Sequence, residues 1–167
     1  AQIYGNETEV GRAIKESGIP RSELYITTKI WTSNFSGNKL QTSLQESLEK
    51  LQIERLDMTL IHWPSPKDEV PVAEYMTALV NAQDQGLTQE IGVSNFTIAH
   101  LRQAIVAVGA GRITNQQIEI HPFLQNKSVV AFCQENQIPV TAYMPLAYGK
   151  VMHDPVLQKI AGKHATT

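Results

Sequence analysis

The sequence predicts an α/β fold, a parallel sheet covered by helices, and three observations carry that expectation. Short runs rich in β-branched and aromatic residues alternate with longer segments whose apolar residues recur at the helical period. The short runs begin 33, 33, 25 and 24 residues apart, room for one strand, one helix and two short loops in each unit. The runs are also apolar through most of their length, the pattern of strands covered on both faces.

The elements follow in order. Residues 9–17 read as a helix stopped by Gly18 and then Pro20. Strands are expected at 24–30, 57–63, 90–95, 115–120 and 139–145. Between them, Leu40, Leu44, Leu48 and Leu51 form one apolar helix stripe, Val72, Met76, Leu79 and Val80 a second, and Ile98, Leu101, Ile105 and Val108 a third. Cys133 is expected in a helix core, and a last helix runs from about Asp154. No linker, low-complexity stretch or charge run divides the chain, so residues 1–167 read as one domain. Periodicity alone leaves a barrel and a doubly wound sheet equally open.

Composition narrows the function classes. With 42% hydrophobic and 18% charged residues, the 167-residue chain is long enough for a sizeable core. Fourteen basic and sixteen acidic residues are scattered, which argues against nucleic acid or an anionic membrane as partner and for a small molecule. A lone cysteine excludes an internal disulfide and fits a reducing, cytoplasmic compartment. No apolar run approaches the ~20 residues that span a bilayer. The sequons at Asn34 and Asn95 read as chance matches.

Polar residues close the apolar runs. Lys29 ends the first strand and His62 the second, while Tyr4 precedes the first helix. Parallel strands of a barrel deliver their C-terminal ends to one face, where such residues converge on one reacting atom. Taken singly, the lysine could snorkel at a strand end, the histidine could be a bonded core residue, and the tyrosine could simply pack. Taken together, a phenol beside an ammonium that lowers its pKa, with an imidazole near, suits protonation of a carbonyl oxygen. A second group lies on the later strands: Ser94, Asn95 and Gln117 offer hydroxyl and amide groups for a carboxamide, and Tyr143 offers a face for a planar heterocycle. Ser94 and Asn95 read equally well as turn and capping residues. Gly109-Ala110-Gly111 lacks the third glycine and the setting of a dinucleotide loop, and the histidines and cysteine show no metal spacing.

The run from Ala1 to Gly11, Ala-Gln-Ile-Tyr-Gly-Asn-Glu-Thr-Glu-Val-Gly, and the run from Gln89 to Phe96, Gln-Glu-Ile-Gly-Val-Ser-Asn-Phe, resemble two signatures of the aldo-keto reductases. The group most resembled is the bacterial 2,5-diketo-gluconate reductases, and the resemblance covers essentially the whole chain. It implies an (α/β)8 TIM barrel that binds NADPH without a Rossmann fold. It also implies a catalytic tetrad in which Tyr4 is the general acid, Lys29 its partner and His62 the residue that orients the carbonyl. Ser94, Asn95 and Gln117 would hold the carboxamide, Tyr143 would stack on the nicotinamide and Leu146 would lie by the pyrophosphate. Trp31 and Trp63 match positions lining the substrate pocket. The implied partner is a small aldehyde or ketone, keto sugars among them, and the complete enzyme is expected to be a monomer.

The same resemblance places the tetrad's aspartate two residues before Ala1, and it leaves the first two strands, the first helix and the last strand outside the chain. Met144 and Gln116 stand where serine and asparagine are usual. The sequence is therefore expected to be an internal portion of a barrel, five strands of eight. The rival expectation is a catalytically silent relative that binds or supports. The 167 residues alone are expected to be inactive with NADPH and to aggregate or oligomerise, because five strands leave unpaired edges. Sedimentation with a carbonyl-reduction assay checks this, and a monodisperse monomer with normal turnover would contradict it.

Overall fold

The computed structural model describes residues 1–166. Five strands, β1 (Thr27–Ile30), β2 (Leu56–Ile61), β3 (Thr88–Ser94), β4 (Ile113–Glu119) and β5 (Val140–Tyr143), form one parallel sheet in the order β1-β2-β3-β4-β5. Six helices accompany them: α1 (Glu7–Glu16), α2 (Lys39–Leu51), α3 (Val72–Asp84), α4 (Ile98–Val108), α5 (Lys127–Glu135) and α6 (Pro155–Lys163). The strand order settles what periodicity left open. A doubly wound sheet reverses its strand order at a switch point, whereas an unbroken sequential order with right-handed crossovers puts every crossover helix on the same face. That is the singly wound arrangement of a TIM barrel, represented here by five consecutive strands. Consecutive helices α1 to α4 accordingly pack side by side. No helix among the described residues is long and apolar enough to cross a membrane.

The core lies between sheet and helices. Leu40, Leu44, Leu48 and Leu51 of α2 and Val72, Met76 and Leu79 of α3 are buried against Ile30, Ile61, Ile91, Val93 and Ile113. Helix ends follow local chemistry. Thr97 and His100 form a capping box at the start of α4. Asp154 Oδ1 accepts from the N–H groups of Val156 and Leu157 at 3.0 Å, with Pro155 in the first turn of α6.

Strand ends differ from the sequence expectation. Leu24 and Tyr25 stand outside β1, where the Tyr25 hydroxyl donates to Glu90 Oε2 at 2.6 Å. Met144 turns to a φ of 52° and ends β5 at Tyr143. Burial on both faces holds through most of β2 and β3, but β5, at the edge of the sheet, leaves Thr141 and Ala142 exposed on opposite faces, and β4 beside it is only partly buried. Cys133 is buried in α5 as expected.

One irregularity decides where the later side chains point. Ile91 pairs with Ile113, but Val93 pairs with Gln116, so β4 carries one extra residue opposite Gly92. Such a bulge shifts the alternation of faces beyond it. Ile113 stays in the helix-side core with Ile91, while Gln117 comes level with Ser94 on the opposite face. Gly92 is required there, since a Cβ would lie 2.6 Å from the Asn115 carbonyl oxygen and 2.8 Å from Leu60 Cδ2. Gly92→Ala is therefore expected to lower stability by about 1 to 3 kcal/mol, the usual cost of overpacking, read from the urea midpoint; an unchanged midpoint would show that the bulge tolerates a side chain.

Candidate active site

The register brings the polar strand-end residues to one edge. Lys29 pairs with Leu60 and Leu60 with Gly92; one step further, His62 follows Ile61 and its N–H donates to the Ile30 carbonyl at 3.1 Å. Tyr4 arrives from a 3₁₀ turn, Gln2–Tyr4, that ends at Gly5 with φ 64°. Its ring meets His62 edge-on, centroids 5.8 Å apart, and Trp31 meets the same imidazole at 5.2 Å. Tyr4 is 62% exposed, whereas His62 is only 7% exposed.

Burial, reinforced by the nearby charge of Lys29, pushes the His62 pKa down to about 4, so the ring is neutral at physiological pH. Its Nδ1 is buried with no hydrogen-bond partner. A proton there would be a stranded donor, which favours the tautomer with its proton on Nε2. Burial lowers the Lys29 pKa as well, and among the described residues no carboxylate forms an ion pair with its ammonium.

The second group interlocks with the first through Asn95. This residue takes φ 61°, a left-handed conformation that asparagine tolerates. Its Nδ2 donates to the His62 carbonyl at 3.0 Å and to Ser94 Oγ at 3.2 Å, and its Oδ1 accepts from the Tyr143 hydroxyl at 2.8 Å. Both amide hydrogens are thus engaged. Ser94 Oγ donates to the Gln117 carbonyl at 2.8 Å. Burial, with the Glu119 carboxylate next in effect, raises the Tyr143 pKa. Trp63, 45% exposed, joins Asn95 and Tyr143 in lining a cleft of about 560 Å³. Leu146 is 52% exposed in the turn after β5, where Met144, Ala147 and Tyr148 all have positive φ.

A larger concavity, about 1230 Å³, lies at the other end of the sheet, lined by Arg21, Arg55, Asp57 and Gln89 among others. Size favours that cavity, but the smaller cleft lies at the C-terminal edge of the strands, where Tyr4, Lys29 and His62 also stand, beside it and not in its lining. Two residues of the site were not singled out from sequence. Glu7, nearly buried in the first turn of α1, accepts from Thr28 Oγ1 at 2.5 Å, and Gln2 bonds to four partners. No local pattern marked them, since their partners lie more than twenty residues away.

The sequence profile described as the Aldo/keto reductase family matches residues 1–162. The chain belongs to the aldo/keto reductase family. It is 58% identical over 167 residues to the methylglyoxal reductase DkgB of Yersinia pestis, covering all of this chain and 62% of that protein. An aldo/keto reductase from Brucella melitensis superposes with a TM-score of 0.91 at 39% identity, over 98% of this chain and 62% of that one. A mutant of Gox0644, crystallised in complex with NADPH, superposes with a TM-score of 0.90 at 34% identity, over 99% of this chain and 59% of that one. The chain thus spans about 58 to 62% of the length of curated relatives that it matches.

The histidine fixes a pH dependence. Between its folded value of about 4 and its ordinary 6.5, the unfolded chain binds more protons than the folded one. This contribution to stability is complete above pH 6.5 and is lost as pH falls toward 4, by at most about 1.4 kcal/mol per unit. Urea titrations of wild type and His62→Gln across this window are expected to converge at low pH; parallel curves would contradict the assignment.

Proposed function

We propose that the protein reduces small aldehydes and ketones to alcohols with NADPH. The observation that carries this reading is the neutral His62 held between Tyr4 and Trp31 beside the Lys29 charge. The name of the DkgB relative points to methylglyoxal as a first substrate, and keto sugars such as 2,5-diketo-gluconate come next.

The residues present suit a nicotinamide. Asn95 Oδ1 keeps one lone pair beyond its bond to Tyr143, and the Gln117 side chain stands level with Ser94, so a carboxamide can find both acceptor and donor. Tyr143 at the end of β5 supplies a face for the ring, and Leu146 lies further along the same turn. NADPH, when bound, supplies a hydride to the carbonyl carbon.

The chain's own side chains do the rest. Tyr4 Oη donates its proton to the carbonyl oxygen, and the Lys29 ammonium stabilises the phenolate left behind. His62 Nε2–H donates a hydrogen bond to the same oxygen without giving up its proton, because its neutral state persists well below pH 6.5. Trp31 and Trp63 wall the substrate space and limit water. In this reading the site belongs to a single domain, and the complete protein is a cytoplasmic monomer with no nucleic-acid or membrane partner; the scattered charges support that part.

Following NADPH consumption with methylglyoxal tests the function directly. Tyr4→Phe is expected to cost about 10² to 10⁴ in kcat while leaving NADPH affinity within a few fold; wild-type turnover in that variant would remove Tyr4 from its role. Tyr143→Ala is expected to weaken NADPH binding, the stack being worth about 0.5 to 1.5 kcal/mol beyond burial, and tryptophan-quenching titration checks it, unchanged affinity assigning Tyr143 to packing alone.

A further inference from the structure

Gln2 uses its whole side-chain amide. Nε2 donates to the Ser43 carbonyl at 3.1 Å and to Ser47 Oγ at 3.3 Å. Oε1 accepts from the Trp31 backbone N–H and from Asn34 Nδ2, both at 2.9 Å. Two donors and two lone pairs are thereby satisfied, the most an amide can do.

These four partners belong to two different elements. Ser43 and Ser47 lie on the buried face of α2, among Leu40, Leu44 and Leu48, where their hydroxyls donate to the Leu40 and Ser43 carbonyls and leave the Ser43 carbonyl and Ser47 Oγ to accept from Gln2. Trp31 and Asn34 lie in the turn that follows β1. Gln2 itself is in the 3₁₀ turn that ends with Tyr4. One amide therefore ties the Tyr4 turn and the Trp31 turn to the same rigid helix. Both rings meet His62, from Tyr4 at 5.8 Å and from Trp31 at 5.2 Å.

We propose that Gln2 is a positioning residue: it sets the separation of Tyr4 and Trp31 across His62, and so the gap in which a carbonyl meets the tyrosine hydroxyl. The proposal rests on the reductase reading for its effect on rate, but its geometric half stands apart from turnover. Gln2 does not touch the reacting atoms. Its loss lets the two turns drift independently, and a displacement of about 1 Å at a reacting centre can cost on the order of 100-fold in rate.

The test compares Gln2→Met, which keeps bulk and removes all four bonds, with Gln2→Glu, which keeps oxygens able to accept from Trp31 and Asn34. In the whole protein, Gln2→Met is expected to lower kcat roughly 10- to 100-fold with NADPH affinity within about two-fold, and Gln2→Glu, which keeps the bonds to Trp31 and Asn34 but loses the donors to α2, to recover part of the loss. Trp31 gives a readout independent of activity. With Trp63 and every tryptophan outside residues 1–167 replaced by Phe, Trp31 reports alone, and its acrylamide quenching is expected to rise roughly two-fold in Gln2→Met, as local opening exposes the ring, and to return toward the parent value in Gln2→Glu. Unchanged quenching in Gln2→Met overturns the proposal, as does turnover within about two-fold of wild type. If wild type reduces no carbonyl, the reductase reading fails, and the quenching alone decides whether Gln2 holds Trp31.

Discussion

The register of the parallel ladder is the constraint on which the site depends. A slip of one residue would send every inward side chain of a strand to the helix side. The pairing of Lys29 with Leu60 and Ile30 with Ile61 keeps Lys29 and His62 on the edge shared with Tyr4. The bulge beside Gly92 then does for β4 what simple alternation would not, bringing Gln117 level with Ser94. Burial enforces both arrangements, because Ile30, Ile61, Val93 and Ile113 reach the helix-side core only in this register.

On that frame the electrostatics of His62 follow without a further device. Two aromatic rings and the end of β2 remove water from the imidazole, and the Lys29 charge opposes its protonation. A charged histidine would compete with the phenol as an acid; a neutral one can only orient an oxygen. Asn95 extends the order outward, holding the His62 carbonyl with one end of its amide and the Tyr143 hydroxyl with the other. The groups proposed to act on the carbonyl and those proposed to hold the nicotinamide are therefore one connected structure.

Much of this was legible in the sequence, for identifiable reasons. Helices with strong apolar periods were placed well, α4 over the same residues, Ile98–Val108, that its stripe indicated. Strand centres were right and their ends were not, because Tyr25 and Met144 are apolar yet leave the ladder, one to bond Glu90 and the other to begin a turn. Barrel and doubly wound sheet share the same local signals, and only strand order separates them. The bulge could not be read because it depends on how a glycine on one strand faces an asparagine on the next. Tyr4, Lys29 and His62 stood out by chemical type. Gln2 and Glu7 did not, since their value lies in partners more than twenty residues away, which no local pattern reveals.

The state of His62 tests the account most directly. Long-range nitrogen–proton spectra of the protein with ring-labelled histidine, His62 assigned by its loss in His62→Gln, would follow the ring from about pH 8 down to about pH 4. A single neutral Nε2–H tautomer is expected to persist through pH 6.5, with a protonation midpoint near 4. A midpoint close to 6.5, or a proton resident on Nδ1, would contradict it.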